Sequence, residues 1–168
     1  MDEFKLKKVG VAGTFDKLHK GHKLLLLTAF SAGERVIIGI TSEKLIKGKK
    51  MCQKIAPFDE RVKKVKEFLS SRGFKDYNII KLDDPYGPAI NDPSMDGLVV
   101  TRETLNNALA INKIRIKQGM KPLTLIVVPL VLAEDGLPIS STRIRLGEID
   151  ENGKLKTYSG GLCRNRKV

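Results

Sequence analysis

Short apolar runs alternate along this chain with longer stretches in which apolar positions recur at helical spacing. Lys8–Thr14 (KVGVAGT) is a short apolar run that ends in glycine, and Arg35–Ser42 (RVIIGITS) is β-branched and nearly continuous. Both patterns predict strands buried on two faces. Tyr77–Leu82, Gly97–Thr101 and Leu123–Leu130 repeat the pattern. Between them, Gly21–Gly33 predicts a helix that is apolar almost all round, through Leu24–Leu27, with Gly33 as its stop. Pro57–Gly73 sets Phe58, Val62, Val65 and Leu69 on one helical face, with a proline at the start and a glycine at the end. Thr101–Gly119 predicts a further helix, and Ile139–Ile149 a short one for which Ser140 and Ser141 are N-cap candidates.

Strand–helix alternation with near-continuous apolar strands predicts an α/β fold, a doubly wound five-stranded parallel sheet covered on both faces. Residues 1–150 read as one domain. Residues 151–168 read as a basic tail, partly ordered on that domain. Such sheets bind ligands at the carboxyl ends of their strands, near the switch in strand order. The ends of the first, fourth and fifth strands carry GTFDKLHKGH, TRET and AEDGLPISSTRIR, three polar segments on one predicted edge. The connection Leu82–Asp96 is long and holds three prolines, which marks it as a loop with a task.

Composition narrows the class. No apolar run reaches the length of a membrane span, and no apolar leader follows Met1, so a cytoplasmic protein without membrane contact is expected. Cys52 and Cys163 are far apart and in no metal-ligand spacing, which gives neither a disulfide framework nor a zinc site. A net charge of +12 favours anionic partners, nucleic acid or phosphorylated small molecules. The lysines are spread along the chain in a thermophile-like Lys/Glu/Ile usage. With only 5% aromatic residues to offer stacking platforms, a nucleic-acid-binding module is the weaker reading. The sequence shows no readable oligomer interface.

The chemistry concentrates in Gly13–Leu27 (GTFDKLHKGHKLLLL), which holds both histidines of the chain. Gly13 ends a strand, where a missing Cβ lets a phosphate approach the backbone. Gly21 sits at the start of a helix, whose free N–H groups and dipole favour an anion. His19 just before that start and His22 on its first turn can face one phosphate. The glycine between them argues for a turn rather than a chelating helix face, and no further ligand cluster accompanies them.

Gly13–His22 resembles the HxGH signature of the nucleotidyltransferase superfamily, and Ile139–Arg145 (ISSTRIR) resembles its second signature, ISSTxIR. DDPYGPAINDPSMDGLVVTRET, AINKIR and AEDGLPISSTRIRLGEID are similar to the archaeal phosphopantetheine adenylyltransferases. The resemblance runs from about Lys8 to Asp150 and implies a Rossmann-like fold. It also implies adenylyl transfer from ATP to 4′-phosphopantetheine with Mg²⁺ on the ATP phosphates. The products are dephospho-coenzyme A, with coenzyme A as a product-like ligand, and pyrophosphate. Rival members of the superfamily are the glycerol 3-phosphate cytidylyltransferases, FAD synthetases and nicotinamide mononucleotide adenylyltransferases.

By that resemblance His22 stabilises the transition state at the α-phosphate and His19 holds the ATP phosphates. Gly13, Thr14 and Phe15 line the nucleotide site with backbone groups, Gly21 lines it at the helix start, and Thr14 also contacts the acceptor phosphate through its hydroxyl. Ser140, Ser141 and Thr142 face the β- and γ-phosphates with Arg143 adding charge. Asp16 shapes the turn, and Arg145 is left to the helix surface. A further cation is expected after the second strand: Lys47 fits best, with Lys44 as its rival and Lys49 and Lys50 assigned to a basic loop. Bacterial members place arginines after the fourth strand in a segment like RGLR. Here Thr101 and Thr104 stand at those positions, with Arg102 as the substitute cation for the acceptor.

Overall fold

The computed structural model describes residues 5–49 and 51–157. Lys50, Cys163 and the tail beyond residue 157 lie outside them. Five strands, β1 (Leu6–Gly13), β2 (Gly33–Thr41), β3 (Tyr77–Leu82), β4 (Gly97–Thr101) and β5 (Thr124–Val128), form one sheet in the order β3-β2-β1-β4-β5. Every pairing is parallel. The chain winds outward from β1 in one direction, then returns and winds outward in the other. The switch point therefore lies between β1 and β4, at the ends that carry Gly13 and Thr101.

Helices α1 (Lys20–Ala32) and α3 (Phe58–Ser71) cover one face of the sheet. They bury Leu25, Leu26, Ala29 and Phe30 of α1 and Val65 and Leu69 of α3 against Val9, Val11, Val36, Ile38, Ile40 and Val99. Helix α4 (Leu105–Lys117) and a 3-10 turn at Gly87–Ile90 cover the other face, over Ile37, Leu98 and Val100. A small third cluster, Ala133, Ile139, Ile144 and Ile149, packs around α5 (Ser141–Arg145). The short helix α2 (Glu43–Ile46) follows β2. Beyond residue 150 the chain folds back, with Ile149 bridging Leu155 and Glu134 N–H donating to the Gly153 carbonyl at 3.0 Å.

Three element boundaries differ from the sequence pattern. Gly33 does not stop α1 in a left-handed turn. Its backbone is extended (φ −126°, ψ 148°), and it is the first residue of β2. A Cβ there would lie 2.8 Å from Val9 Cγ2, so glycine is needed for close strand packing rather than for a cap. The helix after β4 starts four residues late because Thr101–Thr104 make a turn first, with Thr104 N–H donating to the Thr101 carbonyl at 3.2 Å. Strand β5 stops at Val128 because Pro129 has no N–H to offer the ladder.

Candidate active site

The segment between β1 and α1 is built around a buried carboxylate. Phe15 (φ 52°) and Lys17 (φ 60°) both adopt the left-handed region, which costs about 1–3 kcal/mol per non-glycine residue. Asp16 between them is fully buried and offsets that strain with fixed partners. Its carboxylate accepts from Ala56 N–H at 3.2 Å and from Arg145 Nη1 at 2.8 Å, and its carbonyl accepts from Ser141 Oγ at 2.7 Å. One aspartate thus joins the first signature, the connection before α3, and the second signature. The reading of Asp16 as a turn-shaping residue agrees with this geometry.

His19 is the N-cap of α1. Its Nδ1 accepts from Gly21 N–H at 3.1 Å, so a neutral ring carries its proton on Nε2. His22 stacks on it with ring centroids 3.8 Å apart, and Phe15 packs against the other side of His22 at 5.3 Å. His22 Nδ1 is buried and has no partner among the described residues. Burial pushes His19 down from 6.5 to about 4, against the opposing pull of Asp16 and Glu151. It pushes His22 well below its ordinary value too, helped by the charges of His19 and Lys49. Both rings are neutral donors near neutral pH.

Three cations contact the connection between β1 and α1. Arg145, with 5% of its side chain exposed, pairs with Asp16 and reaches Thr142 Oγ1 at 3.1 Å. Arg61 of α3 is 1% exposed. It donates from Nε to the Ala56 carbonyl at 2.8 Å, and from Nη1 to the Thr14 and Thr41 carbonyls at 2.9 and 2.8 Å. Lys49 Nζ donates to Thr14 Oγ1, which also accepts from Thr41 Oγ1 at 3.1 Å. Burial and the nearby Arg145 and Arg61 charges lower the Lys49 pKa, with Glu103 opposing. Arg61 Nη2 and Arg145 Nε are buried without partners among the described residues. Lys49 and Arg145 line the larger cavity together with two carboxylates, Asp16, which Arg145 already pairs, and the exposed Glu103, so Lys49 is the cation turned to an incoming anion.

Two cavities open at the switch point. The larger, about 440 Å³, is polar and is lined by His19, His22, Ser140, Ser141, Thr142 and Arg145, among others. The smaller, about 210 Å³, lies between the sheet and the 84–95 connection. Gly10, Ala12 and Gly39 line its sheet side, where Leu98 and Leu82 lie close over the two glycines (a Cβ would meet them at 2.8 and 2.5 Å), and its walls include Ile80, Tyr86, Pro88, Met95 and Ile111. Ala12, Gly13, Thr14, Lys49 and Thr104 line both cavities.

Gly13, Thr14, His19, Gly21, His22, Ser140, Ser141, Thr142, Thr101 and Thr104 therefore all line a cavity as residue types in the expected segments. Four placements are corrected. Lys44 and Lys47 lie exposed on and just after α2 and line neither cavity. The chain turns back after α2, with Lys49 N–H donating to the Ile46 carbonyl, and Lys49 is the lysine that reaches Thr14. Arg143 and Arg145 exchange roles. Two positions apart on a helix they point roughly 200° apart. Arg143 faces outward to Asp135 and Glu148, and Arg145 faces the polar cavity. Phe15 lines neither cavity and is a fully buried core residue under Gly13. Arg102 is exposed and also lines neither, because the Thr101–Thr104 turn directs it outward.

Sequence reasoning passed over Arg61 and Thr41. Arg61 had a signal: it sits with Val65 and Leu69 on the buried stripe of α3, where a charge needs a reason. Thr41 carried none, being an ordinary β-branched residue at a strand end.

The cytidylyltransferase-like family matches residues 11–147. The phosphopantetheine adenylyltransferase of Methanothermobacter thermautotrophicus is 44% identical over 97% of this chain and 98% of its own length. That of Pyrococcus horikoshii is 44% identical over 89% of this chain and 94% of its own. Among solved structures, an Archaeoglobus fulgidus protein of unknown function superposes with a TM-score of 0.66 at 35% identity, covering 72% of this chain and 88% of its own. No helix of the described residues is long and apolar enough to cross a membrane.

Proposed function

The chain belongs to the archaeal phosphopantetheine adenylyltransferases, within the cytidylyltransferase-like nucleotidyltransferases, and from that premise we propose how its two cavities perform adenylyl transfer from ATP to 4′-phosphopantetheine. The reaction gives dephospho-coenzyme A and pyrophosphate, a step of coenzyme A biosynthesis. One observation carries the reading: a polar cavity that presents Lys49, Arg145 and both histidine rings and an apolar cavity meet at Thr14 and Lys49. ATP takes the first, the pantetheine arm takes the second, and the acceptor phosphate lies at the junction.

An oxygen of that phosphate attacks the α-phosphorus of ATP, and the bond to the bridging oxygen breaks to release pyrophosphate. The nucleophile belongs to the substrate and is already anionic. The protein's work is to align two polyanions and to stabilise the charge that spreads over the transferring phosphoryl group. His22, on the first turn of α1, donates to the α-phosphate. His19 donates from Nε2 to the neighbouring phosphates, since Gly21 N–H holds its Nδ1. Arg145, Ser140, Ser141 and Thr142 face the β- and γ-phosphates. Lys49 bridges the acceptor phosphate and the α-phosphate, and Thr14, Thr41, Thr101 and Thr104 offer hydroxyls around it.

Mg²⁺ would enter on the ATP phosphates, where it neutralises charge on the leaving pyrophosphate. Of the two carboxylates that line the polar cavity, Asp16 is already taken by Arg145 and Ala56, which leaves Glu103 as the one that would face the ion. Among the described residues no three His, Cys, Asp or Glu side chains cluster as ligands.

The direct test incubates the protein with ATP, Mg²⁺ and 4′-phosphopantetheine and measures pyrophosphate. Release dependent on both substrates is expected. Release only with cytidine triphosphate and glycerol 3-phosphate would place the chain with the rival transferases.

A further inference from the structure

We propose that Arg115 is a positioning residue that sets acceptor selectivity, by clamping the 85–95 connection as the outer wall of the apolar cavity. The inference rests on the assignment of that cavity to the pantetheine arm.

Arg115 lies on α4 and is 1% exposed. It continues the helix's buried stripe after Ala108 and Ile111, where a leucine or methionine would avoid the desolvation of a charge. No carboxylate pairs with it among the described residues. Its guanidinium is spent on carbonyls: Nε donates to Lys121 at 2.9 Å, Nη1 to Ala89 and Asp92 at 2.8 Å each, and Nη2 to Met95 at 3.4 Å. Three of these four carbonyls belong to the connection. Ala89 and Met95, held by their carbonyls, also line the apolar cavity. A planar fork with five donors can fix several strands of backbone at once, which neither a methionine nor a lysine reproduces.

Other contacts pin the same wall along its length. Asp84 accepts from the N–H groups of Tyr86 and Gly87 at 2.8 Å each, and Asn107 Nδ2 donates to the Pro85 carbonyl at 2.7 Å. Lys8 pairs with Asp92 at the far end. Ala89, Asp92, Met95 and Arg115 are all absent from the lining of the polar cavity. Arg115 therefore bears on the acceptor arm and not on the nucleotide. The motif around Arg115 and the proline-rich connection are thereby two halves of one device.

The test compares wild type, Arg115→Met and Arg115→Lys in the full chain. Two acceptors are used: 4′-phosphopantetheine, and a shortened one ending in a primary amide in place of the aminoethanethiol arm. Wild type should prefer the full acceptor by about tenfold or more in kcat/KM. In Arg115→Met the KM for the full acceptor should rise about tenfold, the KM for ATP should stay within about twofold, and the preference should fall toward unity. Arg115→Lys should lie between, and it is the variant read if Arg115→Met does not fold. A variant that binds ATP normally and keeps the wild-type preference overturns the role of Arg115. A wild type that uses both acceptors equally, or neither, overturns the cavity assignment beneath it.

Discussion

The two cavities are made in opposite ways. The polar one is walled by side chains with named partners: Asp16, Arg145 and Ser141 bind one another across the two signatures, and His19 and His22 stack at 3.8 Å. The apolar one is walled by aliphatic and proline residues from β1, β2, β3, β4, α4 and the 84–95 connection, with Leu98 and Leu82 closing over Gly10 and Gly39 on its sheet side. A buried arginine that donates to backbone carbonyls nevertheless stands behind each boundary: Arg61 holds Thr14 and Thr41 where the cavities meet, and Arg115 holds Ala89 and Asp92 in the outer wall of the apolar one. The lesson is that a charged side chain on an apolar stripe can be a fastener for loops on the far side of the fold. The polar cavity is tuned by which donors it presents, the apolar one by where its wall is held.

That contrast can be broken from either side. The largest effect is expected from His22→Ala, which should lower kcat by about 10²–10³-fold and leave the KM for phosphopantetheine nearly unchanged. Steady-state kinetics with each substrate varied decides it, and intact turnover with weakened ATP binding would reduce His22 to a ground-state contact. Lys49→Ala comes next. Because Lys49 lines both cavities, kcat/KM should fall by about 10²-fold for both substrates, whereas Lys47→Ala should stay within about twofold. The reverse result would restore the sequence expectation for Lys47. Ala12→Leu adds bulk at the junction of the two cavities and should raise the acceptor KM about tenfold, with a smaller change for ATP. An equal rise for both would show that the cavities do not divide the substrates.

The smallest effect concerns pH. A histidine whose pKa is depressed in the folded state binds protons more readily once unfolded. Stability should therefore decline as pH falls from the ordinary histidine value of 6.5 toward the lowered His19 value of about 4. It should be fully present above that window, as read by denaturant unfolding at fixed salt. Nuclear magnetic resonance titration of the two rings should show no inflection near 6.5. Bound ATP, by placing negative charge against them, should move both midpoints upward.

The polar cavity was largely legible in the sequence because its residues are polar, few and grouped in two runs. Gly13, His19, His22 and Ser140 have chemistry that reads without coordinates. Lys49 and Arg145 did not read correctly, for a geometric reason. Which of several cations on a short helix or a turning connection faces inward depends on a rotation of roughly 100° per residue, and a family spacing does not carry through a connection of different length. The sheet was legible from its continuous apolar runs, down to Tyr77–Leu82 and Gly97–Thr101, whereas Gly33 misled because a glycine after a helix has two uses. The apolar cavity was nearly silent, since Gly10 and Gly39, which admit Leu98 and Leu82 close over the sheet, look like any small residue in a strand.

The direct passage of α1 into β2 at Gly33, with no loop between them, has a consequence for how this protein breathes. The helix that presents both histidines and the strand that ends in Thr41 form one uninterrupted stretch of backbone, whose strand half is paired with central β1 from Gly33 to Ile40. Sub-global opening follows such continuous units. The amides of α1, β1 and β2 should then exchange with solvent deuterium together and last. The two histidine rings thus ride on a template that opens only when the centre of the sheet opens.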